Sequence, residues 1–473
     1  MADWIGAVEA AQRLGIKQAS LYSYVSRGVL TRRAGPDGRA SLFDAGQVES
    51  LARRGRPRRE PGAAELVIES ALTEIGGDRF WYRGLDATAL ATSRTFEEVA
   101  SLLWTGSFDD AAAPWHATRQ AIAVGSAAQA ALPAGTLPLE RLQVIVPALA
   151  ATDPLRLQLD PPAVGAAARS LIAGLVDCLP AAVPSGASYG TAADPGAAPD
   201  SRGRGAPGNA AGLGYAAASD DAAGTDHAAG TDHAAGTDHA AGSGYAAGSG
   251  YAAGSGYAAG SSIAARLAAR LCVRPEQPGL TAALQAALVL LADHELAAST
   301  LAARVAASVR ADPYAVVATG LGAVGGALHG GASLGAELML AAASEPADAA
   351  RVVGELLRRG ERIPGLGHFV YKTGDPRSVL LLSMIRDLVP DSPRLAVADA
   401  VLAEARRRAL PEPNIDFALA ALADVTGMIQ GAGEAVFAVA RSAGWLAHAL
   451  EEYARKRPIR PRGIYTGPPA DPS

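Results

Sequence analysis

Residues 326–377 open as GALHGGAS (326–333), pass through helix-like text, and close as GLGHFVYKTGDPR (365–377). Two of the eight histidines, His329 and His368, stand here among glycines. Glycine adds no side-chain bulk and tolerates unusual backbone angles, so backbone at such a histidine can approach a ligand closely. Downstream, PNIDF (413–417) sets Asp416 between apolar residues after a Pro-x-Pro break. A carboxylate in apolar surroundings loses water and becomes a stronger base once ionised. Two histidines and one such carboxylate suit proton abstraction beside a carbonyl: Asp takes the proton and a histidine N–H donates to the developing enolate oxygen. The text after His329, ASLGAELMLAAA, places that histidine near a helix N-terminus, where the helix dipole disfavours imidazolium. Two other readings stay open on these residues alone. One is structural histidines at glycine turns; the other is an iron site of two histidines and one carboxylate.

At this point the chain resembles the citrate synthase family. GALHGGAS is similar to GPLHGGAN, GLGHFVYKTGDPR to GxGHRVYKxxDPR, and PNIDF to PNVDF. Upstream, LLADHELAAST (290–300) resembles LxADHExNAST, and FWYRGLDATALATSRTFEEVASLLWTG (80–106) resembles the stretch that opens the family's fold. Downstream, ARSAGWLAHALEE (440–452) and RPIRPRGIYTG (457–467) are similar to its last helix and tail. Seven motifs in the family's order are far more specific than any one of them.

The resemblance implies an all-α fold of a large and a small helical domain closing over substrate. It implies condensation of acetyl-CoA, or a close acyl-CoA such as propionyl-CoA, with oxaloacetate. The product would be citrate, or 2-methylcitrate, with free CoA. Acetyl-CoA enters as substrate, and no cofactor or metal is expected. By motif, His329 corresponds to the histidine that stabilises the enolate, Asp416 to the base, and His368 to the histidine that polarises the keto group. His294 corresponds to an oxaloacetate-binding histidine. Arg377, Arg441 and Arg460 correspond to the guanidiniums that grip the substrate carboxylates, a role suited to their planar fork. In the family the last arginine reaches the neighbouring subunit's site, so a homodimer is implied. Departures from the pattern are Ser333 for Asn, Phe369 for Arg and Ala-Leu-Ala at 418–420. Phe369 and the alanines bear on acyl and CoA contacts rather than on the acid–base trio.

The resemblance covers most of residues 63–467 and leaves the first sixty residues unexplained. They carry eleven Lys/Arg against six Asp/Glu, whereas the whole 473-residue chain has net charge −5. A basic head on an acidic body reads as a separate module. GAVEAAQRLGI and QASLYSYVSRGVL suggest helix, turn, helix; Gly-Pro-Asp-Gly (35–38) is hairpin-tip chemistry for a small wing. A short closing helix follows. This head resembles the winged helix-turn-helix of MerR and excisionase families. Ser20, Tyr22, Ser23 and Arg27 would then line a recognition helix, with Arg32, Arg33 and Arg39 at the wing, contacting DNA phosphates and the major groove. The alternative function is a DNA-binding transcriptional regulator whose body senses a metabolite.

Residues 1–55 are expected to form the helix-turn-helix domain, 56–62 a linker, and 63–331 the first part of the large domain. Residues 332–420 would form the small domain, and 421–473 the rest of the large domain and tail. Residues 186–262 carry three AAGTDH units and then AAGSGY units, read as a disordered insertion with His227, His233 and His239 outside the catalytic set. LTAALQAALVLLADHE (280–295) is apolar on most faces and reads as a buried central helix ending at Asp293, His294 and Glu295. Cys178 and Cys272 lie in apolar text without metal-type spacing and read as buried thiols of a reducing compartment. No signal peptide opens the chain and no long apolar run suggests a membrane span, so a cytoplasmic location is expected.

Overall fold

The computed structural model describes residues 4–14, 21, 24–25, 30–35, 41–48, 68–108, 115–182, 262–326, 329, 331–461 and 466–467. The repeat segment expected at 186–262 lies outside them except for Ser262. The Ser262 hydroxyl accepts from the Ala265 N–H and caps the helix that begins at Ile263.

The first strands, β1 (Trp4–Gly6), β2 (Arg32–Ala34) and β3 (Ser41–Asp44), form an antiparallel sheet in the order β1-β3-β2. Pairing of Arg33 with Leu42 and Ala34 with Ser41 flanks the Gly-Pro-Asp-Gly segment, as expected of a hairpin. Helix α1 (Ala7–Leu14) packs on this sheet, and Ala10, Leu21, Leu30, Phe43 and Val48 form a small core of their own. Ser20, Tyr22, Ser23, Arg27 and Arg39 lie outside the described residues, as does most of the expected second helix.

The next strands, β4 (Thr73–Gly76), β5 (Arg79–Tyr82) and β6 (Leu85–Asp86), form an antiparallel meander turning at Gly77, whose φ is +59°. Helices then dominate. They are α2 (Ala87–Ser93), α3 (Phe96–Thr105), α4 (Arg119–Ala130), α5 (Pro138–Ala150), α6 (Pro161–Cys178), α7 (Ile263–Leu271) and α8 (Leu280–Leu291). The rest are α9 (Ala298–Ser308), α10 (Pro313–Val324), α11 (Gly331–Ala341), α12 (Ala349–Arg358), α13 (Pro376–Leu388), α14 (Pro393–Arg407), α15 (Ile415–Thr426) and α16 (Ala432–Arg455). Their starts follow local chemistry. Asp86 caps α2, Thr95 and Glu98 form a capping box on α3, and Asp160, Asp312 and Asp375 cap helices whose first residue is proline.

As its apolar faces predict, α8 is buried nearly all round, packed among α2, α7, α13 and α16. Its fully buried leucines, such as Leu284, Leu288 and Leu291, each contribute about 2 kcal/mol of apolar burial. Helix α16 runs alongside and brings Trp445 and Arg441 into the interior. Gly444 permits this: a Cβ there would overlap the Ala292 carbonyl and the Asp293 carboxylate at the end of α8. Among the described residues no helix is long and apolar enough to cross a membrane. Both cysteines are buried and unbridged.

Candidate active site

Two loops and three helix ends converge. The GLGH loop is stitched to the segment preceding α15. The Gly367 N–H donates to the Glu412 carbonyl at 2.8 Å, the Asn414 N–H to the Gly365 carbonyl at 2.9 Å, and the Asn414 side-chain amide to the Gly367 carbonyl at 2.8 Å. Gly365 lies against α15 with φ +77°, and a Cβ there would sit 2.8 Å from that of Phe417. Asn414 also caps α15 by accepting from the Asp416 N–H at 3.0 Å. The caps that start the helix therefore set where Asp416 stands.

Asp375 performs the second stitch. It caps α13, accepts from Nε and Nη2 of Arg377 at 2.9 and 2.8 Å, and accepts from the Ile415 N–H at 3.0 Å. Burial pushes the Asp375 carboxyl up, but the Arg377 guanidinium outweighs it and holds the carboxyl below its ordinary range. Arg377 is itself buried, and this two-point pair fixes one edge of its fork.

His368 faces the guanidinium. Its Nδ1 accepts backbone N–H groups of Val370 and Tyr371 at 3.1 and 3.2 Å, and its Nε2 lies 3.2 Å from Nη2 of Arg377. Burial, then Arg377, pushes the ring down to about 4, so it is neutral at physiological pH. A neutral imidazole whose Nδ1 accepts carries its proton on Nε2. A guanidinium can only donate, so the Nη2 contact calls on Nε2 as acceptor, and a neutral ring meets one of the two demands at a time.

His294 completes this side. Its ring stands edge-on to His368 at 5.4 Å, and its Nε2 is 3.0 Å from the Tyr371 hydroxyl. Burial, then Arg377 and Arg441, pushes it well below the ordinary histidine value. A cavity of about 280 Å³ opens beside these groups, lined by His368, Tyr371, Lys372, Asp375 and Glu412.

The other side is built from α11, α15 and α16. Asp416 stands in the first turn of α15, where the Ser333 hydroxyl donates to Oδ1 at 2.8 Å. Burial raises its carboxyl to about 6, against the lowering effects of Ser333, Arg377 and Arg441. His329 lies two residues before α11, as the sequence suggests; its Nε2 is 2.7 Å from the Ser299 hydroxyl. Burial, then Arg441, pushes its ring down to about 4. Its ring stands edge-on to Phe437 at 5.8 Å, and the Arg441 guanidinium lies over the same Phe437 at 4.6 Å. Arg441 is buried, donates from Nε to the Leu291 carbonyl at 2.8 Å, and is lowered to about 10 chiefly by burial.

Six of the seven body residues singled out in the sequence are thus brought together. Arg460 is not: it is exposed on the segment after α16 and makes none of these contacts within the chain. Of the head residues, Arg32 and Arg33 are exposed on β2, and the Arg33 guanidinium lies over the Trp4 ring at 4.2 Å. The iron alternative gains nothing, since no group of three or more His, Cys, Asp or Glu among the described residues is arranged to hold a metal. Ser299, Tyr371, Asp375, Asn414 and Phe437 were not singled out. Each lies inside a quoted motif or beside one, but residue type alone did not distinguish it from neighbours.

Comparisons with known proteins fit this arrangement. A family model described as citrate synthase, C-terminal domain, matches residues 63–462. Citrate synthase 2 of Bacillus subtilis is 41% identical over 193 residues, 39% of this chain and 51% of that protein. The 2-methylcitrate synthase 1 of Corynebacterium glutamicum is 33% identical over 183 residues, 38% of this chain and 48% of that protein. The chain spans about half the length of the curated relatives it matches. A Thermoplasma acidophilum citrate synthase, solved as a ternary complex with carboxymethyl coenzyme A and oxaloacetate, shares the fold at TM-score 0.58 and 21% identity, covering 86% of this chain and 96% of that one. The Pyrobaculum aerophilum citrate synthase shares it at TM-score 0.58 and 22% identity, covering 93% and 95%. By the match that runs through its whole body, the chain belongs to the citrate synthase family.

Proposed function

We propose that the chain condenses acetyl-CoA, or a close acyl-CoA such as propionyl-CoA, with oxaloacetate and water to give citrate, or 2-methylcitrate, and CoA. The observation that carries this reading is the close approach of His368 and Arg377, Nε2 and Nη2 3.2 Å apart, beside neutral His294. A keto or carboxylate oxygen satisfies both. Arg377 and Arg441 supply buried positive charge for a dianionic keto acid. Asp416, raised to about 6, is ionised at neutral pH yet basic enough to take a proton from the acyl-CoA α-carbon. His329 is neutral; with the Ser299 hydroxyl donating to Nε2, its Nδ1–H is free to donate to the enolate oxygen. The enolate carbon then attacks the keto carbon, and His368 gives its Nε2 proton to the oxygen that becomes the alcohol. Water hydrolyses the resulting thioester and releases CoA.

Arg460 fits this reading if the tail of one subunit completes its partner's site, which makes the working form a homodimer. Residues 332–420 would act as a small domain closing on the rest. The test is release of free thiol from acetyl-CoA and propionyl-CoA in the presence of oxaloacetate. Release that depends on oxaloacetate is expected; none with either acyl-CoA refutes the proposal.

A second reading applies to the head. We infer that residues 1–55 bind DNA, supported by exposed Arg32 and Arg33 on strand β2 of the basic unit. Gel shift against genomic fragments at low salt should show a band sensitive to Arg32→Ala; no band at any salt refutes it.

A further inference from the structure

We propose that Ser333 positions the Asp416 carboxylate, engaging Oδ1 so that Oδ2 is the atom that takes the substrate proton. This rests on the reading of Asp416 as the base. Ser333 is the third residue of α11, the helix that follows His329, and α11 packs along α15, which carries Asp416. Ser333 is fully buried, so water does not replace its hydroxyl, which donates to Oδ1 at 2.8 Å. It is backed by the first turn of α16: a Cβ on Gly433 would lie 3.3 Å from the Ser333 Cβ. The short side chain is therefore held on the Asp416 side.

The chain departs from the family pattern at this position, where LHGGAN has Asn and this sequence has Ser. Both side chains offer a donor. A hydrogen bond to the ionised form favours it, and a charge-assisted bond is about twice as strong as a neutral one. Ser333 therefore opposes the burial that raises Asp416. Without it the carboxyl would be protonated over more of the neutral range and free to rotate about its terminal bond. The serine keeps its own proton throughout; the abstracted proton stays on Oδ2 until Asp416 releases it.

The test uses the full chain with Ser333→Ala and Ser333→Thr. In Ser333→Ala, the acid limb of kcat should rise by about one pH unit, the shift expected for losing one hydrogen bond to a charged group, and kcat at neutral pH should fall by roughly half. The KM for oxaloacetate should be unchanged. Ser333→Thr keeps the hydroxyl and should hold the limb at its wild-type position. A limb unmoved in Ser333→Ala, or a loss carried by KM with kcat preserved, overturns the inference. Carbon-13 NMR titration of the Asp416 carboxyl, assigned with Asp416→Asn, reads the same contact without turnover. Wild-type protein without turnover but with a titration that rises in Ser333→Ala would sink the enzyme reading and leave the contact standing. Turnover with limb and titration both unmoved would sink the Ser333 inference alone.

Discussion

Nη2 of Arg377 lies 3.2 Å from Nε2 of His368. Each is held there by something else: Arg377 by Asp375, and His368 by the backbone N–H groups of Val370 and Tyr371. Both groups are therefore fixed in the cleft by partners of their own.

Arg377→Lys tests that geometry. Lysine keeps the charge but loses the planar fork that grips Asp375 and aims Nη2. Oxaloacetate binding should weaken about tenfold or more, read by calorimetry. Arg377→Met should also destabilise the fold by about 3–5 kcal/mol, because it strands the buried Asp375 carboxylate. Wild-type affinity in Arg377→Lys would contradict the assignment.

Asp416 gives a stability prediction of opposite sign to its activity prediction. Its folded value of about 6 lies above the ordinary carboxyl range. The folded state therefore favours the protonated form, and stability falls as pH rises from the ordinary range through about 6. Ionisation at neutral pH costs at most about 3 kcal/mol, and less because the group is partly exposed. Asp416→Asn removes that cost. Its Tm at neutral pH should rise by roughly 1–3 °C, while turnover is lost. A lower Tm in scanning calorimetry would contradict this.

His448 lies fully buried at the far end of the same helix packing, 3.3 Å from the Asp293 carboxylate and beside Glu451 and Arg304. Burial pushes its ring down, but Asp293 and Glu451 outweigh burial and Arg304 and raise it. A raised histidine stabilises fully below its unfolded value and loses that contribution as pH rises through the folded value. Thermal stability should thus decline as pH rises from the ordinary histidine value through the raised one, and His448→Gln should flatten that decline. Asp293 adjoins His294, so the same variant should weaken oxaloacetate binding. An unchanged pH profile of Tm would contradict the account.

Much of this is legible in the sequence. His329, His368 and Asp416 stand out because glycine and proline mark the turns that present them, and one family's motifs occur in order. The buried helix over 280–291 was legible because it is apolar on most faces. Other features were not. Asp293, Thr73, Arg304 and His448 form one buried polar network from segments far apart in the chain, and no local pattern announces such a partnership. Ser299 carries no signal in its type, and Ser333 shows only as a departure from the family pattern; packing of α9 and α11 sets them against His329 and Asp416. Of the head, hairpin chemistry was readable and agrees with the β2–β3 pairing.

The central claim is that Asp416 takes the proton while histidines and arginines hold the keto acid. Its most direct test compares wild type with Asp416→Asn in oxaloacetate-dependent thiol release from acetyl-CoA or propionyl-CoA, with oxaloacetate binding measured alongside by calorimetry. The account predicts turnover by wild type, none by Asp416→Asn, and closely similar oxaloacetate affinity in both. Turnover by Asp416→Asn at the wild-type rate, or a wild type inert with both acyl-CoAs, would contradict it.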